Sequence, residues 1–250
     1  MSATRQVWLV LGASSAIARA FALAAAKAGA DIVLAGRDLA DLEANAADIR
    51  LRTGRDVVAV AFDAGDLVGH ADFVAEARRI ADDATLNVFL AFGTMPPQSE
   101  IDGAPARAAE VILANYTGAV SVLHHLAPIL EAQRRGRVVA LASVAGDRGR
   151  IKNYVYGSAK AGLATYLQGL RARLFRAGVS VTTVKPGFVD TAMTFGLPGM
   201  FLVADPADVA KTCLRAAERG KDAIYAPFFW RAIMAIIRHI PERIFKRLGI

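Results

Sequence analysis

Seven short apolar runs alternate with longer stretches of helical composition, and this alternation restricts the possible folds more than any other feature of the chain. The runs are Gln6–Leu11, Asp31–Ala35, Val57–Phe62, Asn87–Phe92, Arg137–Ala142, Val179–Val184 and Ala223–Ala226. They are rich in Val, Leu and Ala, which predicts strands covered by helices on both faces. Ala16–Ala28 is Ala-rich, follows the good capping residues Ser14-Ser15 and stops at Gly29. Asp38–Thr53 repeats the pattern and ends at Gly54. Such alternation implies right-handed crossovers and a parallel sheet. No Pro/Gly/Ser linker, charge block or composition shift divides the chain. The expected fold class is α/β: a single doubly wound domain over residues 1–250 with a seven-stranded parallel sheet.

Composition excludes several alternatives. Hydrophobic residues make up 54% and charged residues 21%, enough for a large core and too apolar for disorder. Cys213 is the single cysteine, so no intrachain disulfide can form, which suits a reducing compartment. His70, His124, His125 and His239 show no metal-ligand spacing, and no metal is expected. The run Val7–Leu11 is short and leads into a glycine turn, so it reads as a strand and not a signal peptide. No stretch approaches the roughly 18 apolar residues of a spanning helix. The expected location is cytoplasmic. The formal charge is +7, with basic clusters at Arg134, Arg135 and Arg137, at Arg148, Arg150 and Lys152, and near the C-terminus. The first two have no aromatic neighbours apart from Tyr154 and Tyr156, which argues against nucleic acid.

In an open parallel sheet, ligands sit at the carboxyl ends of the strands. After the first strand comes Gly12-Ala13-Ser14-Ser15-Ala16-Ile17-Ala18. Such a turn lets backbone N–H groups and a helix N-terminus meet a pyrophosphate. Only the first glycine of the usual pattern is present, so a tight turn with no ligand is an open alternative. The second strand leads into Gly36 and Arg37 where an NAD-binding site would place an acid. Arg37 can pair with a 2′-phosphate, which favours NADP(H) over NAD(H), or it can simply face solvent. Asp63-Ala64 follows the third strand, where an adenine edge could be read.

The strongest chemical signal is Tyr156-Gly157-Ser158-Ala159-Lys160. Residues at i and i+4 share a helix face, and a nearby ammonium is expected to lower the tyrosine pKa. Tyr156 could then act as general acid toward a carbonyl or base toward an alcohol. Ser143 ends the fifth strand and can orient the same oxygen, while Asn115 is a polar residue in an apolar helix. A lone Tyr/Lys pair is usually a surface feature; the ordered set of four is not.

On these residues the chain resembles the single-domain short-chain dehydrogenase/reductase family over nearly its whole length. The glycine turn at Gly12–Ala18, the tetrad Asn115, Ser143, Tyr156 and Lys160, and the segment Pro186-Gly187-Phe188-Val189-Asp190-Thr191 carry the resemblance. It implies a Rossmann-type, NAD(P)-dependent oxidoreductase. Tyr156 would pass the proton, Lys160 would tune Tyr156 and hold the cofactor ribose, Ser143 would bind the carbonyl oxygen, and Asn115 would complete a water relay. Gly12, Ser14, Ser15, Ala16, Ile17, Arg37, Asp63, Ala64, Gly93, Tyr156, Lys160, Pro186, Gly187, Val189 and Thr191 would contact the cofactor. Val189 would contribute backbone and Thr191 a hydroxyl. Two departures bear on these contacts. Ala16 and Ala18 replace glycines, and Leu90-Ala91-Phe92-Gly93 replaces Asn-Asn-Ala-Gly.

Ala91-Phe92-Gly93, Asn115-Tyr116-Thr117 and Arg238–Leu248 further resemble one branch, the keto-reductase subunit of the decaprenylphosphoryl-ribose 2′-epimerase. That likeness implies a 2-keto pentose on a polyprenyl phosphate as substrate and a flavin-dependent oxidase as partner. A small apolar ketone, or a non-catalytic NADP-binding subunit, are the alternatives. The tail 228–250 is apolar over Phe228–Ile237 and then basic at Arg238, Arg243, Lys246 and Arg247. It can lie in a membrane interface, placing the protein at the inner membrane face, or pack on its own core or a second subunit. The loop Met193–Val203, with Phe195, Leu197, Met200, Phe201 and Leu202, can cover an apolar substrate or serve as ordinary lid packing. A homo-oligomer is expected.

Overall fold

The computed structural model describes residues 5–196 and 199–249. Among them, seven strands form one sheet in the order β3-β2-β1-β4-β5-β6-β7, every pair parallel. The strands are β1 (Gln6–Leu11), β2 (Asp31–Gly36), β3 (Val57–Ala61), β4 (Thr85–Leu90), β5 (Arg137–Leu141), β6 (Ser180–Pro186) and β7 (Ala223–Ala226). This is the doubly wound α/β architecture expected from the alternation. The order reverses beside β1, which separates the two wings and opens a crevice at the carboxyl ends.

Side chains alternate across the sheet into two cores. Val7, Leu9 and Leu11 of β1 face one layer, built with α3 (His70–Ala81), α6 (Gly118–Gln133) and α7 (Tyr154–Phe175). Trp8 and Val10 face the other, built with α1 (Ala16–Lys27), α2 (Leu39–Thr53) and α8 (Pro206–Glu218). Phe21 of α1 joins the second layer to the sheet, stacked on Phe89 at 3.8 Å between ring centroids and edge-on to Trp8 at 4.9 Å. Burial on both faces explains why the strands read as continuous apolar runs.

Two strands, β4 and β6, differ from their expected ranges by more than one residue at an end. β4 starts at Thr85 and not at Asn87, because Gln6 pairs with Thr85 and Val7 with Leu86. The buried Asn87 amide nitrogen donates there to Gln6 Oε1 at 3.0 Å and to the Val7 carbonyl at 3.3 Å. β4 ends at Leu90, leaving Ala91-Phe92-Gly93 free to enter the site. β6 runs on to Pro186 because Lys185 and Pro186 pair with Tyr225 and Ala226 of β7.

α4 (Gln98–Gly103) and α5 (Ala106–Ile112) precede a π-helical turn at Leu113–Thr117 that leads into α6. The tail forms α9 (Trp230–His239) and α10 (Glu242–Phe245). The apolar face of α9 is spent on the protein's own core: Trp230 is 2% exposed and Met234 0%, packed with Val144, Phe188, Tyr225, Ile233 and Ile237. Among the described residues no helix is long and apolar enough to cross a membrane.

This packing makes the tail part of the stability of the domain. Met234→Ala should destabilise by about 2–5 kcal/mol in urea unfolding, the cost of truncating a fully buried side chain. A tail that merely rested on the surface would show less than about 0.5 kcal/mol.

Candidate active site

The site is assembled where β1, β4, β5 and β6 end. Gly12 leaves β1 at φ +79°, and a Cβ there would stand 2.7 Å from Phe92 Cβ. The turn therefore needs glycine both for its conformation and for the close passage of the segment after β4. Ser15 caps α1, its hydroxyl accepting the Ala18 N–H at 3.3 Å. The N–H groups of Ala16 and Ile17 open the helix, the usual place for a phosphate. Ala18, in a glycine position of the family pattern, is fully buried, so its methyl packs into the core. Ser14 is exposed beside them, and its carbonyl is held by Arg19 Nε at 3.1 Å. Arg19 also pairs with Asp41 of α2, so it ties the turn to the next helix. Nothing in the sequence spacing pointed to Arg19.

Arg37 is exposed just beyond β2, after Gly36. The neighbouring acid, Asp38, caps α2 by accepting the Asp41 N–H at 3.1 Å. Asp63 follows β3; its carboxylate accepts the Gly65 N–H at 2.8 Å, and its carbonyl lies 3.1 Å from His70 Nε2. His70 is buried, and its other nitrogen meets Ser121 Oγ at 2.9 Å. It steadies the Asp63-Ala64 segment, a role the sequence did not suggest.

Asn115 lies in the π-helical turn and is 1% exposed. Its side-chain amide donates to the Val111 carbonyl at 2.9 Å, the group four residues back that an α-helix would offer to a backbone N–H. The amide also donates to the Thr94 carbonyl at 2.7 Å, and Oδ1 accepts the Thr94 N–H at 3.3 Å. Asn115 thus clamps the segment after β4. A Cβ on Gly93 would lie 2.4 Å from Asn115 Oδ1 and 3.3 Å from Lys160 Nζ, so both side chains close on the bare Cα.

Ser143 follows β5 with extended backbone and accepts the Ala145 N–H at 3.1 Å. Its hydroxyl is near enough to the Tyr156 phenol to favour the ionised form. Tyr156 and Lys160 occupy the first turns of α7, both buried, with Nζ 5.8 Å from the tyrosine ring centroid. Lys160 Nζ donates to the Leu141 carbonyl at 3.1 Å. Asn115, Ser143, Tyr156 and Lys160, scattered over the sequence, therefore share one corner.

The expected lowering of the Tyr156 pKa by Lys160 is not what the protein alone displays. Burial pushes the Tyr156 phenol up to about 12, opposed in part by the nearby Ser143 hydroxyl. Burial also brings Lys160 down to about 8. Desolvation penalises the phenolate and the ammonium together, and at this depth it outweighs their mutual attraction.

Beyond β6, the Gly187 N–H donates to the Ala226 carbonyl at 3.1 Å, and the Trp230 indole lies directly against its Cα. Val189 is buried and bridges to Ala204, pinning the base of the loop that follows. Thr191 Oγ1 stands 3.2 Å from Thr194 Oγ1, and Thr194 in turn donates to the Val189 carbonyl. Within the loop Phe195 is 86% exposed, while Phe201 lies over Trp230 at 5.4 Å between centroids; Leu197 lies outside the described residues.

Comparison with known proteins agrees with this geometry. The family described as short chain dehydrogenase matches residues 6–198. An uncharacterized oxidoreductase of Mycobacterium tuberculosis is 36% identical over 222 residues, covering 88% of each chain. Another from Streptomyces coelicolor is 36% identical over 243 residues, covering 96% of this chain and 94% of its own. A short-chain dehydrogenase from Sphingobium yanoikuyae, solved in complex with NADPH, superposes with a TM-score of 0.80 at 24% identity, covering 95% and 97%.

The depressed Lys160 pKa has a consequence for stability. Between about pH 8 and the ordinary lysine range, the unfolded chain binds a proton that the folded chain has released. Stability from this residue therefore rises with pH through that window and is lost as pH falls through about 8. Urea unfolding of wild type and Lys160→Met should diverge in favour of wild type as pH rises; parallel curves would place Lys160 in a wetter setting.

Matched in sequence over most of its length and in fold throughout, with oxidoreductases as its relatives, the chain belongs to the short-chain dehydrogenase family of NAD(P)-dependent oxidoreductases.

Proposed function

We propose that this protein is a carbonyl reductase that uses NADPH, with Tyr156 as proton donor. The observation that carries the reading is the buried phenol of Tyr156, beside Ser143 and raised to about 12. Such a phenol is protonated at neutral pH, the state reduction requires. A substrate oxygen between Ser143 and Tyr156 would take the phenolic proton as negative charge develops on it. Lys160 has one protein acceptor, Leu141, and keeps N–H donors for the cofactor ribose. Its ammonium also offsets the phenolate left behind. Asn115, engaged with Val111 and Thr94, holds the segment after β4 in place.

The residues at the strand ends suit a dinucleotide. The glycine turn and the start of α1 offer N–H groups to a pyrophosphate, Asp63-Ala64 stands ready for adenine, and Pro186, Gly187, Val189 and Thr191 border the nicotinamide end. NADPH, when bound, supplies the two electrons of reduction. Arg37 at the tip of β2, with Asp38 turned to capping, supports a preference for the 2′-phosphate.

For the substrate, the likeness of the tail and of Ala91-Phe92-Gly93 to the keto-reductase branch supports a 2-keto pentose on a polyprenyl phosphate, supplied by a flavin-dependent oxidase. Exposed Phe195, Phe201 (50%) and Leu202 (55%) offer apolar cover for a prenyl chain. The inward packing of α9 favours a second reading, a general reductase of small apolar ketones with no need of a membrane. Contact with the inner membrane face would rest on Phe228, Ile236 and the basic residues of the tail. Assembly of identical copies is part of the same proposal.

Tyr156→Phe should lose about 10²–10⁴ in turnover while NADPH still binds more tightly than NADH by fluorescence titration. Retention of a tenth of the activity would remove Tyr156 as proton donor, and equal cofactor affinities would remove Arg37 from the site. A series of 2-keto pentosyl phosphates of increasing prenyl length tests the substrate. The Michaelis constant should fall as the chain grows, since each buried methylene contributes roughly 0.8 kcal/mol. A flat series would leave the small-ketone reading.

A further inference from the structure

Arg150 lies between Ser143 and Tyr156 in sequence, in the segment that joins β5 to α7. Its surroundings differ from those of Arg171 and Arg148, two other partly buried arginines. Arg171 donates to the Val181 carbonyl at 2.8 Å and to Thr183 Oγ1 at 2.9 Å, and it faces the Asp222 carboxylate at 3.5 Å. Arg148 donates to the Arg238 and Ile240 carbonyls, each at 3.0 Å, and pairs with Glu242 at 2.6 Å. Among the described residues, Arg150 has no oxygen acceptor of this kind. One Nη2 contact reaches Met234 Sδ at 3.2 Å, a weak acceptor, and Nε is buried without a partner.

The carboxylate that acts on Arg150 through space is Asp147. Both of its oxygens are already engaged, one by Lys185 Nζ and the other by the Tyr225 hydroxyl at 2.7 Å. Lys185 also pairs with Asp147, so Arg150 shares that carboxylate through space and has no direct ion pair of its own among the described residues. Burial draws the Arg150 pKa below its ordinary value, yet a guanidinium keeps its proton. A half-buried cation without a direct ion pair is held here at a desolvation cost. Close by, the Asn153 N–H turns back to the Arg150 carbonyl at 3.1 Å, and Asn153 Oδ1 is buried without a donor.

The position relates this group to the site. Met234, which Arg150 touches, packs in one cluster with Val144, the residue after Ser143, and with Phe188, the residue after Gly187. Arg150 thus stands against the wall shared by the segment bearing the orienting hydroxyl and the segment following β6. A planar guanidinium with free donors is suited to a bidentate oxyanion.

We propose that Arg150 receives an oxyanion, a phosphate ester or carboxylate, carried by the carbonyl substrate. The proposal rests on the reductase reading for the location of the carbonyl. It adds that the substrate is an anionic ketone and that Arg150 sets this specificity.

Binding to the full chain saturated with NADP+ tests it, followed by tryptophan emission, since Trp230 shares the Met234 cluster. Two matched pairs serve as probes: dihydroxyacetone phosphate against dihydroxyacetone, and hydroxypyruvate against hydroxyacetone. The anionic member of at least one pair should bind tenfold or more tightly, and the pair that shows the gap tells phosphate from carboxylate. Arg150→Met should close the gap, leave the neutral ketone's affinity unchanged and keep or raise the melting temperature, because an apolar side chain replaces an unpaired cation beside Met234. Arg150→Gln should close it equally. Equal affinities within both wild-type pairs would overturn the proposal. So would a gap that survives either variant, or a lowered melting temperature with affinities unchanged, which would mark a purely structural arginine. Because binding is read without turnover, a failure to reduce any carbonyl would count against the reductase reading alone.

Discussion

The pairing of β1 with β4 is the contact on which the rest of the structure depends. It is the point where strand order reverses, and its register sets Leu11 opposite Leu90. The two chains therefore leave the sheet side by side, and Gly12 passes within van der Waals distance of Phe92. Everything the site needs is attached to these two exits. One carries the turn and helix N-terminus that suit a pyrophosphate. The other carries Gly93, on which Asn115 and Lys160 converge. A substitution that widened this seam would disturb both wings at once, since the interior has no slack to absorb a displaced backbone.

Desolvation governs the chemistry of that corner. Tyr156 and Lys160 are drawn together by helical spacing, yet each is so buried that its charged form is disfavoured. A protonated phenol and an ammonium of lowered pKa suit the proposed reduction before any ligand contributes. The same force acts at Arg150 with a different outcome, because a guanidinium cannot answer burial by giving up its proton. Lys160 thus responds by easier deprotonation, while the half-buried Arg150 stays charged, which suits the anion proposed for it.

The C-terminal tail shows how one amphipathic pattern supports several structures. Its apolar residues face the protein's own core through Trp230 and Met234, and the basic residues remain outside. In doing so α9 closes the outer side of the site behind Gly187 and supplies the sulfur that Arg150 touches. The tail is a wall of the catalytic domain, and membrane contact would draw on what is left exposed.

The alternation of apolar runs with helical stretches determined the doubly wound sheet, because strands buried on both faces must be covered by the helices between them. The order Asn115, Ser143, Tyr156 and Lys160 marked the candidate site, and the fold brings these four residues into one corner. What only the tertiary structure decided were matters of depth and neighbours. The β4 boundary moved because Thr85 and Leu86 found partners in β1, a pairing distant in sequence. The direction of the Tyr156 shift followed from how completely the fold buries it, which spacing cannot report. The supporting roles of Arg19 and His70, and the setting of Arg150 against Met234, arise from contacts across 22, 51 and 84 residues. Local pattern encodes which elements form and which faces they bury. Solvent exclusion and charge balance are properties of the packed whole, and they exist only once the layers have closed.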